Sequence, residues 1–565
     1  MKTNICVTFW LVLMCGSHLF AQKQYPKKDF IAPINIIPSL SGNFGEIRPN
    51  HLHSGLDYKT EGKEGLPVFA AADGYIVRIK VSPYGYGKAI YINHPNGYTT
   101  VYAHLSEFNP IIAAYVKKAQ YQKQSFEVEL FPMRDELKVK QKDTLALSGN
   151  TGGSSGPHLH FEIRDTKTEF PINPILFGLP IRDKTPPSIS GIAVYPIGKN
   201  TLINGKNKTL FVAVKNDKLA IDTLFISGKV GFGVETYDTE EMTGNKNGTY
   251  NVKLYKDTAL VYEHKMESFS FDNTRYANAH IDYAQKKKDG RVYQRCFLMP
   301  NNQLEIYSKI DNNGIIEFGK DSVNRIIINA EDCFELKNLI YFFVKPNKTE
   351  LPEEPDTTAA DTLSNMFFPY YRASSFKAPN FTIEIPANAL YENLNFTYKQ
   401  TASQVFYSAI HKVHNPYTPL HKAVKINIVP NNLPLNLKEK AFVASVVGNK
   451  VNDYEGSTWN GNFLQASTKS FGNFAIAIDT IAPEIKRLVS KDTTKFEFKI
   501  TDALTGISDY KALLNGKWVL MEYDAKTNRL IYFVDDYFNK EQNEFEIIVT
   551  DKVNNTKTEK FVVKK

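Results

Sequence analysis

The sequence GPHLHFEIRD, residues 156–165, decides how the first part of the chain is interpreted. Side chains alternate between the two faces of a strand, so His158 and His160 are expected on one face and Leu159 on the other. Two imidazoles on one face are either a pair of metal ligands or a ligand beside a catalytic base. The segment therefore predicts a sheet with a reactive histidine pair on one side.

A second His-Leu-His triplet lies earlier in the chain, in HLHSGLD at residues 51–57. Here Gly55 permits a sharp turn, which would bring the carboxylate of Asp57 back toward His53. Two neutral imidazoles and one carboxylate are a typical catalytic Zn²⁺ ligand set, with a fourth position left for water. The two triplets and the segment VYAHL at 101–105 hold five of the 12 histidines, so this part of the chain predicts a zinc site.

Five motifs, in this order and spacing, resemble the lysostaphin-type (M23) zinc metallopeptidases. They are SGNFGEIRPN at 41–50, HSGLD at 53–57, VFAAADGYIV at 68–77, YAHL at 102–105 and GNTGGSSGPHLHFE at 149–162. The resemblance covers residues 38–177. It implies a compact antiparallel sheet of the lysostaphin-like (duplicated hybrid motif) type with a groove above it, and hydrolysis of peptide bonds in peptidoglycan.

The resemblance also implies a role for each polar residue. His53, Asp57 and His160 match the zinc ligands, and His104 and His158 match the unligated pair beside the bound water. One of this pair would take the water's proton, and the other, if protonated, would stabilise the developing oxyanion. The sequence leaves open which histidine does which.

Two other classes of function compete with the metalloendopeptidase. One is a non-catalytic scaffold or regulator that binds the cell wall or envelope proteins. The other is an adhesin or assembly protein with an accessory peptidase domain, since most of the chain lies outside the motifs. All five expected positions are filled, which favours the enzyme.

The remaining histidines are expected to be structural. His51 is interpreted as a surface or groove-edge residue, and His94 as a loop residue beside Asn96-Gly97, a pair typical of a two-residue primed hairpin turn. A third group lies in HKVHNPYTPLH, where Pro and Asn favour an exposed loop: His411, His414 and His421.

An insert at residues 107–138 departs from the compact family pattern. It contains a helical candidate at 111–122. Two interpretations stay open, a lid or wall of the substrate groove and a tolerated surface insertion.

Composition predicts a mainly β protein of several domains. The chain has 565 residues with 31 Tyr and 37 Phe, and aromatic residues favour pleated, half-buried surfaces. The predicted parts are a signal peptide at 1–21, an M23 peptidase domain at 33–180, an immunoglobulin-like β-sandwich at 185–346, a linker at 347–365, a β domain at 366–480 and an immunoglobulin-like β-sandwich at 481–565.

Two segments of similar sequence mark the start of β domains. RDKTPPSISGIAVYP begins at residue 182 and IDTIAPEIKRLVS at residue 478, and each places Asp and Thr before a proline and then an alternating apolar run. The run reads as a first strand. In the 366–480 domain, the segment IPANAL at 385–390 resembles ZU5-like modules.

The N-terminus predicts export to the periplasm or cell envelope. Lys2, a short apolar run and Ala21 are typical of a signal peptide, and the run is too short for an integral membrane anchor. Lipidation at Cys15 is disfavoured because Met14 precedes it. Cys296 and Cys333 either form a disulfide or are buried small residues.

The net charge of +8 includes no basic run that would suit nucleic acid. The expected partners are peptidoglycan and, through the C-terminal β modules, envelope proteins.

Overall fold

A computed structural model describes residues 24–216, 218–239, 244–319, 323–346, 366–489, 491–539 and 542–564. The predicted signal peptide, Cys15 and the predicted linker lie outside the described residues. The chain is mainly β, as predicted, and no described helix is long and apolar enough to cross a membrane. The described parts are called the first module (24–181), the second module (188–346), the third module (366–478) and the last module (484–563). The predicted domain boundaries stay predictions.

The first module is built on an antiparallel sheet with the strand order β1-β4-β13-β8-β7-β6-β10. Its strands are β1 (Leu40–Gly42), β2 (Ile47–Arg48), β3 (His51–Leu52), β4 (Leu56–Lys59), β5 (Pro67–Phe69), β6 (Gly74–Val81), β7 (Lys88–Asn93), β8 (Tyr98–Leu105), β9 (Glu107–Phe108), β10 (Val128–Leu130), β11 (Lys138–Val139), β12 (Thr144–Leu147), β13 (His158–Asp165) and β14 (Pro171–Ile172). Strands β5, β12 and β9 form a smaller sheet, and β2 pairs with β3. The central strands β4, β13 and β8 carry the histidine motifs.

The hairpin of β7 and β8 is confirmed, but its turn differs from the prediction. The N–H of Gly97 donates to the carbonyl of His94 at 3.2 Å, so residues 94–97 form the turn. Gly97 has a φ of 85°, whereas Asn96 does not have a positive φ. Pro95 pre-sets the first central position of an ordinary turn, and the predicted two-residue primed turn is therefore wrong.

The insert contains helix α1 (Pro110–Lys123), close to the predicted 111–122. The side chain of Asn109 caps it by accepting from the N–H of Ile112, with Pro110 at the first helical position. The helix ends at Gln124, which has a left-handed φ of 46°.

The second module is a continuous sheet with the order β17-β16-β15-β18-β26-β25-β20-β21-β23 and two short helices. Its elements are β15 (Ser188–Ile203), β16 (Leu210–Lys215), β17 (Lys218–Leu219), β18 (Thr223–Thr239), β19 (Lys246–Asn247), β20 (Asn251–Lys256), β21 (Ala259–Lys265), α2 (Ala277–His280), α3 (Tyr283–Asp289), β22 (Gln294–Arg295), β23 (Tyr307–Ile310), β24 (Ile316–Phe318), β25 (Asn324–Glu331) and β26 (Lys337–Pro346). Both cysteines are free thiols, with Cys296 buried in the core of this module, so the disulfide alternative is wrong.

The third module has two five-stranded sheets that share one apolar core, with orders β28-β29-β33-β37-β36 and β31-β32-β38-β34-β35, and β27 pairs with β30 in a third sheet. Its strands are β27 (Met366–Phe368), β28 (Ser374–Ala378), β29 (Phe381–Ile385), β30 (Leu394–Phe396), β31 (Tyr398–Thr401), β32 (Ile410–Val413), β33 (Pro419–Ile428), β34 (Ala441–Val447), β35 (Lys450–Gly456), β36 (Thr458–Asn460), β37 (Phe463–Ser470) and β38 (Gly472–Ile478).

The last module also has two sheets, with orders β39-β40-β44-β43 and β42-β41-β45-β46. Its strands are β39 (Glu484–Leu488), β40 (Lys495–Thr501), β41 (Ile507–Leu514), β42 (Lys517–Trp518), β43 (Glu522–Asp524), β44 (Arg529–Phe533), β45 (Asn543–Asp551) and β46 (Thr556–Val563). Strands β15 and β39 begin inside the two similar segments, after the prolines, as predicted. The immunoglobulin-like topology of residues 185–346 and 481–565 stays a prediction.

Four 3-10 turns complete the described regular structure: Pro174–Phe177, Thr274–Tyr276, Asn312–Gly314 and Leu435–Lys440.

Candidate metal centre

Strand pairing places Asp57 directly beside His160. The two residues are register partners in the antiparallel pair β4–β13, so their side chains share a face of the sheet. His158 lies two residues earlier on β13 and shares that face too. The alternation read from HLH therefore holds in the structure.

His53 reaches the same place from the short link between β3 and β4. Its Nε2 lies 3.1 Å from Oδ1 of Asp57 and 3.0 Å from Nδ1 of His160. Gly55 is needed in this link, although its φ is not positive and it makes no left-handed turn. A Cβ on Gly55 would lie 2.4 Å from the carbonyl of Phe161, so glycine permits close packing of the link on β13.

The three side chains form a compact set of ligand atoms that could hold a metal ion. Nδ1 of His160 lies 2.9 Å from Oδ1 of Asp57, so the three separations are 2.9–3.1 Å. Tetrahedral zinc with ligands at 2.0–2.1 Å requires ligand atoms about 3.3 Å apart. The donor set and its spacing fit zinc.

Both histidines of this set are held by acceptors on their outer nitrogens. Nδ1 of His53 donates to the carbonyl of Asn43 at 2.7 Å, and Nε2 of His160 donates to Oε1 of Glu162 at 2.8 Å. A carbonyl oxygen only accepts, so the inner Nε2 of neutral His53 carries a lone pair. This nitrogen lies 3.1 Å from the carboxylate oxygen Oδ1 of Asp57. Both atoms are acceptors, and a cation between them would satisfy both.

His104 is brought to the same face by an unusual backbone conformation. Its neighbour Ala103 is the register partner of His160, so regular alternation would point His104 to the opposite face. A left-handed φ of 60° breaks the alternation, and the ring of His104 lies 4.7 Å from that of His158 between centroids.

The outer nitrogens of His104 and His158 also donate to backbone carbonyls. Nδ1 of His104 donates to Thr151 at 2.8 Å, and Nδ1 of His158 donates to Gly156 at 2.9 Å. Both carbonyls belong to the Gly/Ser loop at 149–156, which leads into β13 as predicted. Nε2 of His158 is buried without a hydrogen-bond partner and lies 3.4 Å from Oδ1 of Asp57.

The pKa values of the buried groups reflect their partners. Burial would lower the pKa of His160, but hydrogen bonds to Asp57 and Glu162 raise it to about 9. Burial would raise the pKa of Asp57, but the electrostatic influence of the neighbouring imidazoles, that of His53 first, holds it well below its usual value. Without a metal ion, His160 therefore carries a proton beside the two carboxylates, and a metal ion would compete with that proton.

The pKa of His104 is shifted in the opposite direction from that of His160. Burial, with smaller contributions from His160 and His158, lowers the pKa of His104 to about 3. The imidazole is therefore neutral at neutral pH, with no proton on its Nε2.

A cavity of about 880 Å³ opens onto this centre. Asp57, His104 and His158 line it, together with Arg48 on β2. Arg48 donates to Oδ2 of Asp57, on the side away from the imidazoles. No described residue of the insert at 107–138 lines this cavity, so the structure does not support a lid or groove wall there.

Glu162 is a functional candidate that the sequence interpretation missed. It is fully buried, and it accepts hydrogen bonds from His160, Ser54, Tyr86 and Arg164. The sequence did contain a signal for Glu162, because side chains two residues apart in a strand share a face and Glu162 follows His158 and His160 at that spacing. Asn43 and Thr151 act through backbone carbonyls, for which sequence carries no comparable signal.

The other histidines lie outside the centre. His51 is exposed, and its Nδ1 contacts the carbonyl of Pro49. His94 is buried between the carbonyl of Asp73 and the hydroxyl of Thr100.

The predicted exposed loop of the third module is present at residues 415–417, but the three histidines lie outside it. His411 and His414 are buried, His411 beside Tyr398 and His414 beside Thr397, and His421 is half-buried and stacks on Tyr276 of the second module. Aromatic and hydroxyl partners provided by the fold keep these polar rings inside, which the local sequence does not reveal.

The fold and the centre define a mainly β protein whose sheet carries a His-Asp-His cluster that could hold a metal ion, beside two further imidazoles. Residues 51–174 match the family described as Peptidase family M23, and residues 365–479 match the Zu5-like domain. The chain thus carries an M23 peptidase domain followed by β-sheet modules, one of them Zu5-like, as the motifs and the segment IPANAL indicated.

Similar proteins match the same part of the chain. The DD-carboxypeptidase/endopeptidase Mpg of Neisseria meningitidis serogroup B is 35% identical over 134 residues, which are 24% of this chain and 24% of that protein. The peptidoglycan DD-endopeptidase ShyA of Vibrio cholerae serotype O1 is 32% identical over 134 residues, 24% of this chain and 25% of that protein. The chain therefore spans about a quarter of the length of these curated relatives.

Among solved structures, the catalytic domain of the antimicrobial peptidase lysostaphin from Staphylococcus simulans is 26% identical. The match covers 24% of this chain and 87% of that domain, with a TM-score of 0.18.

Proposed function

We propose that this protein is an exported zinc metalloendopeptidase that hydrolyses peptide bonds in the stem peptides or crosslinks of peptidoglycan. One observation carries the proposal. Three ligand atoms of His53, Asp57 and His160 lie 2.9–3.1 Å apart, beside two imidazoles whose outer nitrogens are engaged. This is the arrangement expected of a hydrolytic zinc site with acid–base groups in place.

The relatives support the substrate class. Their names describe endopeptidases, and ShyA is named for its action on peptidoglycan. These matches cover the M23 domain only, so the activity of the whole chain is part of the proposal.

The side chains around the metal have separate roles in the proposed hydrolysis. When bound, zinc would lower the pKa of a water molecule and polarise the scissile carbonyl. Neutral His104 accepts the proton of the attacking water through Nε2, and the imidazolium then donates to the leaving amine. His158, with its free Nε2 beside Asp57, accepts a second hydrogen bond from the water and orients it.

The cell envelope is the proposed place of action. The predicted signal peptide at 1–21 would direct export, and a cell-wall substrate can be reached only after export. Envelope proteins are the proposed partners of the second, third and last modules.

The test compares the full-length chain with four variants. Metal content is measured first, and each protein is then incubated with purified peptidoglycan and with crosslinked peptides while new amino termini are counted. His160→Ala is expected to lose both zinc and cleavage. His104→Ala is expected to keep zinc and lose about 10²–10⁴-fold in kcat, the usual contribution of a general base, and His158→Ala to keep zinc with a smaller loss in kcat.

His51→Ala is the matched control, because His51 is exposed two residues before His53. It is expected to keep zinc and activity. Stoichiometric zinc in the native chain without cleavage of any wall substrate would instead favour the non-catalytic scaffold.

A further inference from the structure

The cavity above the metal centre is lined in part by the second module. Lys286, on helix α3, borders the same cavity as Asp57, His104 and His158. It lies outside residues 51–174, the part of the chain that matches the M23 family. A side chain from a different module therefore reaches the substrate side of the proposed active site.

The second module is fastened to the edge of the cavity by several contacts. The side chain of Asn43 donates to the carbonyl of Gly248 at 2.6 Å and accepts from the N–H of Gly248 at 2.9 Å. The N–H of Leu52 donates to the hydroxyl of Thr274 at 2.8 Å. These contacts bracket β2 and β3, which precede His53, so the position of α3 relative to the metal centre is defined.

Lys286 forms no direct ion pair with a carboxylate of the described residues. Its Nζ contacts the carbonyl of Ile47 at 3.5 Å, and among the described residues no carboxylate oxygen lies within 4.0 Å of it. Arg48, the neighbouring cation of the cavity, is already paired with Asp57 and Glu46. Lys286 is thus a positive charge at the cavity without a direct ion pair among the described residues, and Glu46, which also lines the cavity, acts on it from beyond 4.0 Å.

Burial makes this charge more effective toward a ligand. Lys286 is half-buried, and burial lowers its pKa despite the opposing influence of Glu46. A cation that is partly removed from water gains more from an anionic partner than one on an open surface. Peptide substrates carry such partners as free carboxylates.

We propose that Lys286 binds a free carboxylate of the peptide substrate and so selects peptides by the position of that carboxylate. This inference rests on the proposed peptidase function, since it assigns a specificity-determining residue to the same groove. Lysine suits the role as a compact point charge that needs no fixed bidentate geometry.

The test uses two crosslinked stem peptides that differ only in having free or amidated C-terminal carboxyl groups. The zinc-loaded full chain is expected to show a KM about ten-fold lower for the free carboxylates, the effect of one charge-assisted hydrogen bond. Lys286→Gln is expected to abolish this difference by raising KM for the carboxylate peptide alone, with kcat changed less than about two-fold, and Lys286→Arg to retain part of it.

Two control variants sharpen the assignment. Lys287→Gln removes an exposed lysine from the same helix and is expected to leave both KM values unchanged. Lys59 is the competing lysine of the cavity, contributed by β4. A carboxylate preference that survives in Lys286→Gln and disappears in Lys59→Gln would overturn the assignment, as would an equal rise in KM for both peptides.

Binding separates this inference from the proposed function. Affinity for the two peptides is measured by calorimetry in the zinc-loaded His104→Ala background, where no cleavage is expected. If the native chain cleaves neither peptide but binding still prefers the carboxylate through Lys286, the proposed peptidase function fails and the Lys286 assignment stands. Equal binding of the two peptides in that background contradicts the assignment.

Discussion

At the scale of single residues, the centre depends on what holds the outer side of each imidazole. His53, His104 and His158 donate to backbone carbonyls, and His160 donates to the carboxylate of Glu162. These bonds fix the orientation of each ring, and the inner nitrogens of His53 and His160 face each other at the candidate centre. The proposed reactivity therefore rests on partners that are themselves buried.

Glu162→Gln tests this dependence. The variant is expected to weaken zinc affinity about 10–100-fold, the usual effect of removing an outer partner of a metal ligand, as measured by competition with a chelator. It is also expected to lower stability by about 3–5 kcal/mol, because buried Arg164 loses its carboxylate partner. The matched control is Glu169→Gln, since Glu169 is exposed and lies 3.8 Å from Arg164. Zinc affinity unchanged in Glu162→Gln would contradict the role of Glu162.

Sequence could predict part of this centre. Strand alternation placed His158 and His160 together, and spacing to Asp57 singled out His53 over His51. The left-handed φ of His104 could not be predicted, because histidine has no strong preference for that conformation and the contacts that impose it come from distant residues. The role of Gly55 was assigned to a turn, whereas the close approach of Phe161 explains it.

At the scale of elements, helix α1 of the insert serves as a contact surface for the last module. Tyr121 stacks on Tyr537 at 5.2 Å between ring centroids, packs edge-on against Trp518 at 5.2 Å and donates to Asp535 at 2.8 Å. Lys117 pairs with the same aspartate at 3.1 Å. The helix itself was predictable from its apolar spacing, but its partner lies several hundred residues away and leaves no local pattern.

Tyr121→Ala is expected to loosen this contact. Loss of two aromatic pairs and a hydrogen bond should reduce the free energy of unfolding by about 1–3 kcal/mol, measured by chemical denaturation of the full chain. Lys118→Ala, an exposed change on the same helix, provides the control. Equal stability of Tyr121→Ala and the native chain would show that the contact adds nothing.

Asp238, near the end of β18, is expected to make the stability of the second module depend on pH. Burial and then the charges of Asp183 and Asp332 raise the pKa of Asp238 to about 7, and burial raises the pKa of Asp332 to about 6. A carboxyl group whose pKa is raised on folding contributes stability below its unfolded pKa near 3.8 and loses it as pH rises through the folded value.

Asp238→Asn should remove much of this dependence. The variant and the native chain are expected to melt at similar temperatures near about pH 4, with the variant gaining a few degrees by about pH 8. Calorimetry across this range without added divalent cations measures the effect, and Asp272→Asn, an exposed change in the same module, is the control. A native melting temperature that rises between these pH values by more than that of Asp238→Asn would contradict the prediction.

At the scale of the whole molecule, the M23 domain packs against the second module and the last module. One cluster of buried apolar residues includes Phe44 of the first module, Phe269 of the second module and Phe545 of the last module. Lys88 of the first module also pairs with Glu522 of the last module at 2.9 Å. Composition and motifs predicted a β protein with a zinc site, but sequence alone did not indicate that other modules border the groove, because such contacts follow from packing between distant segments.

We propose that zinc held by the M23 domain drives cleavage of peptidoglycan. The most direct measurement counts new amino termini released from purified peptidoglycan by the full chain before chelation, after chelation and after return of zinc. We expect about one zinc per chain, loss of release on chelation and its recovery with stoichiometric zinc. Release that continues in metal-free protein, or none from fully zinc-loaded protein, would contradict it.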